Sequence, residues 1–106
     1  MGIAIIGAGG HGKVVWDVFR AMGEDVAGFV DARLAGGTLK GLPVVADLDG
    51  LPGATRVIVA IGDNRTRARI FGELREQGRA FATAIHPTAV LAPGTVVGPG
   101  TQIVAG

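Results

Sequence analysis

Gly2 to Ile6 run apolar without alternation, the pattern of a short strand buried on both faces. From His11 the period changes. Val14, Val15, Val18, Phe19 and Met22 recur at helical spacing, Lys13, Asp17 and Arg20 fall off that stripe, and Gly23 stands where a helix terminator belongs. Val26 to Val30 predict a second strand, ending at Asp31. Strand, glycine turn, helix and strand in about thirty residues make a βαβ unit with parallel pairing.

Residues 32–55 are rich in Gly, Pro and Asp around one apolar run, Leu42 to Ala46. They predict a loop, a small extended piece and a turn of helix near Asp47. "RVIVAI", residues 56–61, is a buried strand dominated by β-branched side chains. Gly62, Asp63 and Asn64 follow as a turn with helix-capping chemistry. Residues 65–77 predict a second helix with Ala68, Ile70, Phe71 and Leu74 inward, closed by Gly78, and Ala80 to Ile85 predict a further strand. Residues 1–84 thus read as a small doubly wound α/β layer, a Rossmann-like parallel sheet with flanking helices.

The last 22 positions, residues 85–106, obey a period of six. Aliphatic residues recur at Ile85, Leu91, Val97 and Ile103, prolines at Pro87, Pro93 and Pro99, and glycines at Gly94, Gly100 and Gly106. Neither a helix nor an ordinary strand has that period; a hexapeptide β-helix does, with the aliphatic side chain pointing into the prism. Such an array needs several stacked coils to bury a continuous core. These residues are therefore expected to begin a left-handed β-helix that a longer protein completes, with His86 filling a corner.

Composition narrows the chemistry. The chain of 106 residues carries a formal net charge of +1, which provides no broad field for nucleic acid or an anionic membrane. It has no cysteine, which excludes disulfides and suits a cytoplasmic location. Its two histidines lie far apart, so no metal site is expected. The chemistry is concentrated in "GAGGHGK", residues 7–13, where Gly7, Gly9 and Gly12 fit G-x-G-x-x-G. Glycines there let backbone N–H groups approach an anion, and the following helix adds its positive end. The phosphate so held belongs either to a nicotinamide dinucleotide or to another diphosphate. The bland reading is a tight turn that only lets helix and strand pack closely. His11 is either an exposed helix-start residue or a donor to a ligand. Asp31 stands where ribose hydroxyls or a base edge are met, and Gly62, Asp63 and Asn64 border the same crevice. The arginines at 65, 67, 69 and 75 read as a solvated helix face, of which Arg65 and Arg67 lie near enough to reach an anion. Trp16 reads as packing.

"IIGAGGHGKVV", "AIGDNRTR" and "IHPTAVLAPGTVVGPGTQI", in that order, resemble the bacterial sugar O- and N-acyltransferases of the sialic acid O-acetyltransferase and UDP-4-amino-sugar acetyltransferase type. The resemblance spans the whole chain. It implies an N-terminal domain that holds a UDP- or CMP-linked amino sugar, or a sialic-type sugar, followed by a β-helix that trimerises and binds acetyl-CoA as co-substrate. Acceptor contacts would then fall to Gly7, Gly9, Gly10, His11, Gly12, Asp31, Gly62, Asp63, Asn64 and Arg67. The second of two consecutive acids common in that family is Ala32 here. The catalytic histidine of such enzymes belongs to the β-helix, so no catalytic residue is expected in these 106 positions, and the chain alone is expected to be an inactive monomer or weak oligomer. An NAD(P)-dependent oxidoreductase domain would explain the glycine loop but not the hexads. A non-catalytic oligomerisation module would explain the hexads but not the crevice.

Overall fold

A computed structural model describes residues 2–85 and 102–103. The elements are β1 (Gly2–Ile6), α1 (Gly10–Met22), β2 (Val26–Val30), β3 (Thr38–Leu39), β4 (Leu42–Val45), a 3-10 turn (Leu48–Gly50), β5 (Ala54–Val59), α2 (Asn64–Glu76), β6 (Ala84–Ile85) and β7 (Gln102–Ile103). The main sheet has the order β3-β4-β2-β1-β5. β1 is an interior strand that pairs in parallel with β2 on one side and β5 on the other, which is why Gly2–Ile6 is buried throughout. Successive side chains of a strand point to opposite faces. Ile3 and Ile5 accordingly pack with Phe29, Ile58 and the α1 residues Val15, Val18 and Phe19. Ala4 and Ile6 pack on the other face with Val57, Val59, Leu51 and Leu74. Each fully buried Ile or Phe contributes about 1.5–3 kcal/mol over its exposed state.

The expected Rossmann-like architecture is present, with four departures in detail. The sheet is mixed, because β3 and β4 form an antiparallel hairpin that the Gly-rich loop concealed. Its two-residue turn, Lys40-Gly41, has positive φ at both positions (55° and 77°), the geometry that matches strand twist, without the Asn-Gly pair that usually announces it. Val14 and Met22 are 43% and 37% exposed, so the α1 stripe is narrower than its spacing suggested, and Ala68 of α2 is exposed too. The strand expected at 56–61 runs instead over Ala54–Val59. The strand expected at 80–85 is split into a bridge from Phe81 to Val57 and the two-residue β6, with Ala82 and Ala84 on the α1 side of the core. Trp16 is partly buried against that core, with Arg20 and Lys40 over its ring at 5.4 and 5.1 Å, a packing role as expected.

β6 and β7 pair in parallel, Ile85 opposite Ile103. The step of eighteen positions between them equals three hexads, the repeat of a three-sided coil. The rest of the expected coil, with His86, lies outside the described residues.

Close packing of α1 on β1 depends on two glycines. Gly7 has φ +113°, and a Cβ there would stand 2.6 Å from the Ala60 carbonyl oxygen. A Cβ on Gly12 would fall far inside van der Waals contact with the Gly7 carbonyl oxygen, a backbone atom that cannot step aside. Gly9 has open space around it and an ordinary extended backbone. Gly12→Ala is therefore expected to cost about 1–3 kcal/mol or more by overpacking. With Tm moving roughly 4–8 °C per kcal/mol in a small domain, Gly9→Ala should melt within a few degrees of the parent and Gly12→Ala well below it. Equal melting temperatures would overturn this account of the turn.

Candidate functional site

The chain leaves β1 for β2 on one side and later returns to β5 on the other, so the strand order switches at β1. Open α/β sheets place ligands outside the carboxyl ends of their strands at such a switch. A cleft of about 540 Å³ lies there. Its floor is made where the strands end, at Ile6, Val30, Ala46 and Ala60. Bonds beyond the strands hold this edge level: Gly7 N–H donates to Val30 O (2.7 Å), Ala60 N–H to Ile6 O (2.8 Å) and Asp31 N–H to Val45 O (2.8 Å).

Gly7, Gly9, Gly10 and His11 line the cleft on the α1 side. Gly9 is the α1 N-cap and has no side chain to satisfy the first-turn N–H groups, which leaves the positive end of the helix facing the cleft. Gly12 is buried behind the loop and serves the packing of α1, Gly7 both lines the cleft and is needed for packing, and Gly9 and Gly10 line the cleft with open space around them.

Asp31 lines the cleft, but its carboxylate is engaged. Oδ2 accepts from Ala8 N–H (3.1 Å) and Oδ1 from Arg33 N–H (3.0 Å). One side chain thus ties the glycine loop to the segment after β2. Asp63, Asn64 and Arg67 are not among the residues lining this cleft, although Gly62 is. Asp63 caps α2, its Oδ2 accepting from Thr66 N–H (2.9 Å) and Thr66 Oγ (2.5 Å). Asn64 Oδ1 accepts from Arg67 Nη2, and Arg67 Nη1 reaches Ile61 O at 3.5 Å. Asn64 and Arg67 border a smaller hollow of about 310 Å³ together with Phe71. These three side chains thus bond at the start of α2, where the capping expected of Gly62-Asp63-Asn64 is met.

The structure also brings in Ala32, Arg33, Ala46, Thr66 and Ile70, which sequence reasoning did not place here. Thr66 was discoverable as the third residue after the Asp63 cap, since a side chain one turn into α2 still overlooks its entry. Arg33 and Ala46 carried no periodic signal, because both sit in irregular backbone. Among the described residues, no cluster of His, Asp or Glu suits a metal ion, and no helix is long and apolar enough to cross a membrane.

A family model described as the PglD N-terminal domain matches residues 2–74. The chain is 33% identical over 110 aligned positions to UDP-N-acetylbacillosamine N-acetyltransferase of Bacillus subtilis, covering 97% of this chain and 51% of that protein. Its structure is similar to that of PerB from Caulobacter crescentus in complex with CoA and GDP-perosamine, with 44% identity and a TM-score of 0.86 over 100% of this chain and 52% of that one. It is also similar to the acetyltransferase domain of PglB from Neisseria gonorrhoeae in complex with acetyl coenzyme A, with 36% identity and a TM-score of 0.84 over 97% and 52% of the two chains. The chain spans about half the length of these relatives.

The α2 cap is sensitive to pH. Hydrogen bonds from the Thr66 hydroxyl and N–H hold the Asp63 carboxyl below its ordinary value of 3.8, with Arg67 adding a weaker pull. A carboxyl depressed by folding adds stability above its ordinary pKa and loses it as pH falls through the folded value. Asp63→Ala is therefore expected to melt slightly below the parent at neutral pH and level with it once pH drops below the folded pKa of Asp63. Melting curves across pH 2–7 would check this (roughly the window set by a depressed carboxyl). A gap that persists unchanged at the acid end would overturn it.

Proposed function

Since this chain belongs to the PglD N-terminal domain family, we propose that it is the acceptor-binding part of an acetyl-CoA-dependent sugar N-acetyltransferase acting on a nucleotide-linked amino sugar. The observation that carries the reading is the cleft at the switch point, where the glycine loop and the uncapped start of α1 offer backbone donors to a diphosphate. The relatives support it, since one is a UDP-N-acetylbacillosamine N-acetyltransferase and another is a structure with CoA and GDP-perosamine bound.

In this reading residues 1–84 hold the acceptor and residues 85–106 begin a β-helix part through which the full-length enzyme trimerises. Gly9 and Gly10 give close approach to the phosphates, and His11 donates to a phosphate or sugar oxygen. Gly62 and Thr66 border the place of the sugar. Gly7 and Gly12 act indirectly by shaping the loop. Asp63, Asn64 and Arg67 act indirectly by fixing the start of α2. The nucleotide is UDP, CMP or GDP on the breadth of the relatives and the resemblance. The location is cytoplasmic, which the absence of cysteine suits.

The transfer joins the sugar amine to the acetyl carbonyl carbon. A general base takes a proton from the attacking nitrogen, backbone N–H groups steady the oxyanion, and the C–S bond breaks to release the thiolate, which is protonated to CoA thiol. The base and the CoA site are assigned to the part of the enzyme beyond this acceptor domain. The 106-residue chain alone should bind acceptor and not turn over.

Thermal melting of the chain with a nucleotide-linked 4-amino sugar, NAD or acetyl-CoA tests the reading. At a hundred times its dissociation constant, a ligand stabilises by about 2.7 kcal/mol, or roughly 10–20 °C here. A shift is expected with the nucleotide sugar and none with NAD. A shift with NAD alone, or acetyl transfer by the isolated chain, would overturn the corresponding assignment.

A further inference from the structure

The two ends of the cleft differ in chemistry. At the β1–α1 end the donors are backbone groups of the glycine loop, so a diphosphate is served there without a side-chain cation. At the β2–β4 end the lining is Val30, Asp31, Ala32, Arg33 and Ala46. On the reading of this cleft as a nucleotide-sugar site, the diphosphate in the middle sends the base one way and the sugar the other. The β5 side is the edge at which Phe81 bridges Val57 and the chain continues to β6, the part that leads to the β-helix. The sugar therefore faces β5, and the base lies over the ends of β2 and β4.

At that end Asp31 and Arg33 are the two charged residues. Asp31 already accepts from two backbone N–H groups. Arg33 has its own N–H fixed by Asp31 Oδ1 at 3.0 Å, while its guanidinium makes no hydrogen bond or ion pair among the described residues. A planar fork of donors matches two acceptors set side by side. Guanine offers them in O6 and N7 and cytosine in O2 and N3, whereas adenine sets the N6 donor beside N7 and uracil the N3 donor beside each carbonyl; of the two bases that fit, guanine is the one in the ligand of the similar PerB structure.

We propose that Arg33 is the residue that selects the nucleobase, and that the cleft takes a guanine nucleotide, Arg33 donating to O6 and N7 from a backbone position fixed by Asp31. This rests on the nucleotide-sugar reading and adds the base to it.

The test is calorimetric titration of the 106-residue chain and its Arg33→Ala and Arg33→Lys variants with GDP, CDP, UDP, ADP and pyrophosphate. The parent is expected to favour GDP over UDP and ADP by roughly ten- to a hundredfold, the scale of one bidentate base contact. Both variants should lose that preference, with UDP and pyrophosphate binding as before; the lysine keeps the charge but not the fork. Melting temperatures equal to the parent's would exclude misfolding, as expected for an exposed side chain. A parent that prefers CDP, UDP or ADP overturns the proposal. So does a loss in Arg33→Ala shared equally by GDP, UDP and pyrophosphate, which would make Arg33 a phosphate contact. Failure of every nucleotide to bind would overturn the reading of the cleft itself, and the proposal with it.

Discussion

The start of α1 rests directly on the end of β1, and the rest of the molecule is arranged around that contact. Gly12 meets the Gly7 carbonyl where no side chain fits, and Gly7 turns past the Ala60 carbonyl at a φ few other residues tolerate. Because the two backbones touch, the first turn of the helix opens at the sheet's carboxyl edge. Val15, Val18 and Phe19 then fall onto Ile3, Ile5 and Phe29, so the core and the anion-facing helix end follow from one close approach.

That contact also accounts for the backbone wall on the α1 side of the cleft. The loop from Gly7 to Gly10 has no side chain larger than a methyl to shield its N–H groups, and Asp31 spends its carboxylate on holding the loop to the segment after β2. Two backbone hydrogen bonds on one half-buried carboxylate stiffen both walls at once. Beyond β5 the same logic repeats in weaker form, where Asp63, Thr66, Asn64 and Arg67 fix the entry to α2 in a solvent-exposed network.

Much of the fold was legible because its signals are local and strong. β1 and β2 were marked by short apolar runs ended at Gly7 and Asp31, α1 by its helical period and a glycine stop, and α1 does end at Gly23 in the left-handed conformation. What escaped had weak local signals. The β3–β4 hairpin turns on Lys40-Gly41, with a lysine at a positive φ, and β4 pairs with β2 over only two positions. Val14 and Met22 fit the α1 stripe by spacing yet face solvent, because how wide a buried stripe becomes depends on what packs against it. In the site, the residues of the glycine loop and Asp31 were marked by motif and by strand end. Arg33, Ala46 and Ile70 reach the cleft only because separate segments converge there.

The amino-acid sequence by itself determined the α/β class, the first strand buried on both faces, the glycine loop that starts α1 and the six-residue period that follows residue 84, since each is written in the spacing of neighbouring residues. Tertiary structure alone decided that Gly9 and Gly10 line the cleft with room around them while Gly7 and Gly12 are needed for packing, that Asp31 bonds backbone rather than standing open, and that Asp63, Asn64 and Arg67 bond to one another's turn at the start of α2. The reason is physical. Periodicity records what each residue prefers along its own element, whereas the partner of a carboxylate or an amide is whatever the folded chain brings within about 3 Å of it.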